Sequence, residues 1–171
     1  MLDGAAPWTA QTGRSDLGAE VADGGCQLRT SGDKQLPGRA WQGLVVSFDV
    51  FFQGFGDGDA RPGGGAHMRE VLGPFITRED LAHSCRQIVY GDGEADVYLS
   101  DDNMMANHIS GTDPWELLVQ GARSPGWVIL PAGCPTCLTD DDQRHHLPEG
   151  LDDQAVVVTT GADLLQTITS N

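Results

Sequence analysis

The sequence predicts one α+β domain over residues 45–171, and three observations carry that reading. Segments with an apolar residue at every second position alternate with segments whose apolar residues recur at i, i+3, i+4 and i+7. Turn formers, such as Gly91-Asp92-Gly93 and Ser124-Pro125-Gly126, fall between them. The charge changes along the chain as well: residues 1–46 hold five acids and four bases, whereas residues 47–171 hold 20 acids, six bases and no lysine.

Residues 1–44 show no sustained period of 2 or 3.6 and string turn formers between isolated apolar residues, as in Asp23-Gly24-Gly25 and Leu36-Pro37-Gly38. Such a stretch buries too little apolar area to offset chain entropy. It reads either as a disordered tail or as a leader translated upstream of a true start at Val45 or Val46, and both readings leave the same domain.

Within the domain, Leu44 to Phe52 reads as a strong strand, with Val46, Phe48, Val50 and Phe52 on one face. Phe51, on the other face, implies either a central strand covered on both sides or an aromatic left for a partner. A Gly-rich loop is expected from Gly54 to Gly65. Met68, Val71, Leu72, Phe75 and Ile76 then mark an amphipathic helix that Pro74 ends or kinks near Gly73. Arg86–Tyr90 and Ala95–Leu99 read as strands of a tight hairpin whose Asp-Gly centre supplies positive φ angles.

The next helix opens with Asp113 as N-cap, Pro114 at its first position and Glu116 three residues after the cap. Its stripe is Trp115, Leu118, Val119 and Ala122. Trp127–Leu130 is a buried strand, Thr139 caps a short turn through Asp140–Arg144, and Ala155–Thr159 is a last strand. Thr160 and Asp163 cap a final helix carrying Leu164, Leu165 and Ile168. The order β-α-β-β-α-β, followed by β-α, matches in its first six elements the split-βαβ, ferredoxin-like plan: an antiparallel sheet with helices on one face. That plan hosts unrelated activities and assigns none.

Composition excludes more than it identifies. No run reaches the 18 apolar residues of a membrane span, and Met1-Leu2-Asp3-Gly4 lacks the start of a secretory signal, so a cytoplasmic location is the default expectation. An acidic surface repels phosphates, which argues against nucleic acid or anionic lipid as partner.

The most chemical-looking stretch is Gly133-Cys134-Pro135-Thr136-Cys137, with His145 and His146 downstream. A Cys-x-x-Cys knuckle supplies two zinc ligands, but adjacent histidines make a poor second pair, and His83 and Cys85 would close the site only through folding. A redox pair is the other chemical reading, because a strand, Cys-x-x-Cys and a helix start is the thioredoxin arrangement. Asp140, Asp141 and Asp142 oppose it by raising thiol pKa values, and only 34 residues follow Cys137. The bland reading is two thiols packed at a strand end. Cys26 and Cys85 show no framework spacing, which fits a reducing compartment.

Ser100 to His108 gathers carboxylates, amides and an imidazole, the minimum for acid–base work, although a loop whose Met104-Met105 pair plugs the core explains the same letters. Asp57-Gly58-Asp59 and Asp92-Gly93-Glu94-Ala95-Asp96 suggest calcium loops, but Pro62 and Val97 occupy the sixth positions where glycine is needed. They read as a surface loop and a hairpin turn. Gly63-Gly64-Gly65 lacks the lysine of a phosphate loop and reads as a flexible connection.

Ser47 to Phe52, Met104-Met105-Ala106-Asn107-His108 and the Gly-Cys-Pro-Thr-Cys stretch together resemble small bacterial proteins of no assigned function that begin near Ser-Phe-Asp-Val-Phe. The resemblance spans residues 46–171 and brings no known catalytic residues to carry over; no cofactor and no metal site are expected. The expectation is therefore an acidic binding protein, for example an immunity-type inhibitor covering a basic protein. The alternative is a small metal- or thiol-dependent protein using Cys134 and Cys137.

Overall fold

The computed structural model describes residues 49–170; the expected tail, and the first strand before Asp49, lie outside them. Nine strands and three α-helices follow in the order β1 (Val50–Gly56), β2 (Asp59–Arg61), α1 (Gly65–Leu72), β3 (Ile76–Asp80), β4 (Cys85–Tyr90), β5 (Gly93–Leu99), β6 (Asn103–Asn107), α2 (Asp113–Arg123), β7 (Val128–Pro131), β8 (Cys137–Leu138), β9 (Val156–Val157) and α3 (Gly161–Thr169). Short 3-10 turns occupy Gly73–Phe75 and Asp141–His146.

All the strands join one sheet in the order β3-β4-β5-β6-β1-β7-β8-β9, with β2 hooked onto β1. Every pairing is antiparallel except that of β8 with β9. The α+β class therefore stands, but the strand order departs from the ferredoxin-like plan. There, the second hairpin strand would lie beside the first strand of the domain. Here β5 pairs with β6, and β6 is the neighbour of β1. The inserted strand is the stretch read as a loop. Met104 is buried while Met105 is half-exposed, a period of 2 too short to stand out between two asparagines.

Three further elements differ from the sequence reading. The expected loop after β1 is a second hairpin: Gly56 pairs with Asp59 across Asp57 (φ 52°) and Gly58 (φ 84°), the positive φ angles of a type I′ turn. The helix carrying Met68 and Leu72 stops at Leu72, because Pro74 turns the chain, and Ile76 opens β3 instead of extending the helical stripe. The N-cap of α2 is Thr112, without a side-chain cap of its own. The carboxylate of Asp92, from the β4–β5 turn, supplies it: Asp92 accepts from Thr112 N at 2.8 Å and from Asp113 N at 2.7 Å. In that turn the positive φ falls on Gly91 (57°), not on the Asp-Gly centre.

The glycine run before α1 is not slack. Gly64 takes φ 106° at the helix N-cap, where a Cβ would strike the Trp127 indole, and Trp127 Nε1 donates to Gly63 O at 3.1 Å. At the other end of the chain the expected capping box is present: Thr160 Oγ1 accepts from Asp163 N at 3.1 Å, and the Asp163 carboxylate accepts from Thr160 N at 2.9 Å.

The helices lie on one face of the sheet. Val50, Phe52, Ile88, Val97, Met104 and Ile129 point into a core closed by Met68, Leu72, Trp115, Leu118 and Leu164. Burial of such side chains stabilises by about 1.5–3 kcal/mol each, and is the main reason these strands assemble. On the opposite face, Val128, Leu138 and Leu147 form a small second cluster at the β7–β8 end.

Candidate functional site

The remainder of that second face carries the most unusual surface of the domain. In antiparallel pairs, directly opposed residues point to the same side. The registers Phe51↔Leu130, Phe51↔Met105, Met105↔Tyr98 and Tyr98↔Cys85 therefore set five apolar or aromatic side chains in one row across β7, β1, β6, β5 and β4. Cys85 is buried, while Leu130, Met105 and Tyr98 are half-buried. Phe51, at the middle of a strand paired on both sides, is 46% exposed. The strand is thus central in the sheet, but its second face is left partly uncovered at Phe51.

A polar row lies beside the apolar one. Asn107 stands opposite Asp96, which stands opposite Gln87, which stands opposite Arg78. Asn107 Nδ2 donates to Asp49 Oδ1 at 3.3 Å, and Asp96 Oδ2 lies 3.1 Å from His108 Nδ1. Glu94 and the 42% exposed Val89 form the next cross-strand pair outward. Four carboxylates, those of Asp49, Asp80, Glu94 and Asp96, thus share this face with the guanidinium of Arg78.

The His108 site combines two departures from ordinary structure. His108 has φ 48°, in the left-handed region uncommon for a residue with a side chain, and the neighbouring Asn107 Oδ1 is buried without a hydrogen bond. The carboxylates of its own loop, Asp101 and Asp102, are engaged elsewhere. The actual partner is Asp96, brought there by strand register, while Asp101 pairs with Arg69 at 3.5 Å and Asp102 accepts from Gly63 N at 2.7 Å. Among the described residues, the hydrogen-bond partner of the His108 ring is the Asp96 carboxylate, and no hydroxyl or thiol is hydrogen-bonded to it.

The cysteines behave as packed thiols. Cys137, on β8, is fully buried, and desolvation followed by the neighbouring Cys134 pushes its pKa up to about 12. Its thiol lies 3.4 Å from Pro135 O, and Cys134 Sγ lies 4.0 Å from Ile168 O. The thiolate is the reactive and metal-binding form, and burial disfavours it here. His145 is exposed on the Asp141–His146 turn, and His146 reaches toward Asp57, with Nδ1 to Oδ1 at 4.0 Å. His83 pairs instead with Asp80 at 2.8 Å, a hydrogen bond that holds the Asp80 carboxyl below its ordinary range. Among the described residues, no three of His, Cys, Asp and Glu come together as a metal cluster. No helix among them is long and apolar enough to cross a membrane.

Comparisons with family models, with curated proteins and with solved structures found no match to the chain.

Proposed function

We propose that the protein is a binding protein whose acidic sheet face docks a basic protein, in the manner of an immunity-type inhibitor covering the basic surface of an enzyme. The observation that carries this reading is the exposure of Phe51 at the centre of the sheet, in a row with Met105 and Tyr98 and beside the carboxylates of Asp49, Asp96 and Glu94. A mid-sheet aromatic left in water is costly unless something covers it, and exposed apolar surface rimmed by polar groups marks interaction sites. The surrounding charge selects the occupant: an apolar side chain ringed by lysine or arginine, drawn in by the 20 acids and six bases of residues 47–171.

The competing reading, thiol or metal chemistry at Cys134 and Cys137, is disfavoured by the burial that raises the Cys137 pKa. The test is affinity capture from the producing organism with the wild-type chain and with Phe51→Ser. A basic protein is expected with the wild type alone, its on-rate falling about tenfold or more between low and physiological salt. Capture that is indifferent to Phe51→Ser, or an on-rate that ignores salt, would overturn the proposal.

A further inference from the structure

Residues 47–171 contain six arginines among their 20 acids, yet among the described residues only three pair with a carboxylate: Arg69 with Asp101, Arg86 with Glu79 and Arg144 with Asp141. Of the three others, Arg61 and Arg123 line the same cleft, a space of about 380 Å³ between the β1–β2 hairpin, the end of α2 and the Asp141–His146 turn. In a chain so rich in carboxylates, two guanidiniums without an acidic partner in one cleft are a departure from the rest of the surface.

Both guanidiniums are held in place by carbonyl groups. Arg61 Nη2 donates to Pro125 O at 2.8 Å, and Arg123 Nη2 donates to Thr159 O at 2.8 Å. A guanidinium carries five N–H donors, so each tether fixes the group and leaves most of its donors available. Such pre-positioning lowers the ordering cost of binding.

Gln143, also on the cleft wall, adds an independent sign. Its Oε1 accepts from Thr139 N at 2.7 Å and from Asp140 N at 3.1 Å, which fixes the orientation of the amide, since the opposite flip would face donors with donors. Nε2 is consequently the leftover group, and it is buried with no acceptor among the described residues. An unmet buried donor is destabilising, and an incoming acceptor would relieve it.

Asp140 and Asp142 stand on the same wall, with Asp140 Oδ1 already engaged by Asp142 N at 3.0 Å. These carboxylates exclude a polyanion and leave room for one compact negative group. The acids of the far surface matter less, because charges are screened over about 8 Å at physiological ionic strength. Phe55, Pro125 and Val128 offer apolar wall for the rest of a ligand.

We infer that this cleft binds a small molecule through a single oxyanion group, a carboxylate or a phosphate, gripped by Arg61 and Arg123 with Gln143 Nε2 as a neutral donor. The site is separate from the Phe51 face and stands or falls without it.

The test is a titration of the full chain with inorganic phosphate and, separately, with acetate, at constant ionic strength and followed by NMR. Saturating shifts are expected at the Gln143 side-chain amide and at residues 124–126, with one of the two anions preferred. Arg123→Ala should weaken that affinity about tenfold or more, Arg123→Lys should weaken it less, and Arg78→Ala should leave it unchanged. Because Arg123 also tethers Thr159, the wild-type Gln143 signal decides by itself if the alanine variant fails to fold. Absence of saturation with both anions, or an equal response at Arg78, would overturn the site.

Discussion

Phe51 and Phe52 are consecutive residues on one central strand, and they meet opposite fates: Phe52 is fully buried under the helices, whereas Phe51 is 46% exposed. The two faces of the sheet differ in the same way. One is closed by α1, α2 and α3 over a continuous core; the other has a small cluster at the β7–β8 end and then an open row beginning at Phe51. Two identical side chains thus meet different surroundings. The covered face holds the continuous core, and the open face leaves apolar surface in contact with solvent.

The sharpest way to break this comparison is to truncate each phenylalanine in turn. Phe52→Ala is expected to cost about 3–5 kcal/mol, the range for deleting a buried aromatic, measured by denaturant unfolding. A loss comparable to that of a surface change would mean that the helix layer is not the core. An intermediate effect is expected from acid, acting on the polar ties of the helix layer. The Asp163 carboxyl is lowered to about 2 from its ordinary value of 3.8, first by the Thr159 hydroxyl and then by the Thr159 and Thr160 backbone. Asp92 is lowered by the N–H groups of Asp113 and Thr112. Both are depressed carboxylates, so their stabilisation is present above the ordinary value and is lost as pH falls toward 2. The melting temperature should drop over that window, and Asp163→Asn should flatten the drop. The smallest effect belongs to the open face: Phe51→Ser should change stability by only about 0.5 kcal/mol while removing partner capture. A Phe51→Ser variant as damaged as Phe52→Ala would show that the second face is structural too.

What the sequence made legible was local. The α3 capping box, the Pro74 stop and the β4–β5 hairpin each need only a few consecutive residues, and each is present. β3 was missed because Ile-Thr-Arg-Glu-Asp on a sheet edge offers the core one apolar side chain, Ile76, and bears no apolar period. β6 was missed because five residues with two buried side chains barely exceed a loop. The candidate sites were less legible still, since they depend on register and on long-range packing. Asp96 reaches His108 only because β5 pairs with β6, and Arg61 and Arg123 line one cleft only because the β1–β2 hairpin folds against the end of α2. The row through Phe51 joins residues of five strands, and no window of sequence contains it.

The position of β1 also sets a timetable. Among the described residues it is the first strand to be synthesised, yet it sits between β6 and β7, so Phe52 cannot be enclosed until Met104 and Ile129 have both been made. The β3–β6 meander, whose partners are close in sequence, can close by itself early, because short loops cost little entropy. On the ribosome, two adjacent phenylalanines must therefore remain available while most of the domain emerges. The carboxylates interspersed along the same stretch, Asp49, Asp57 and Asp59, keep that waiting strand charged and discourage its pairing with another copy.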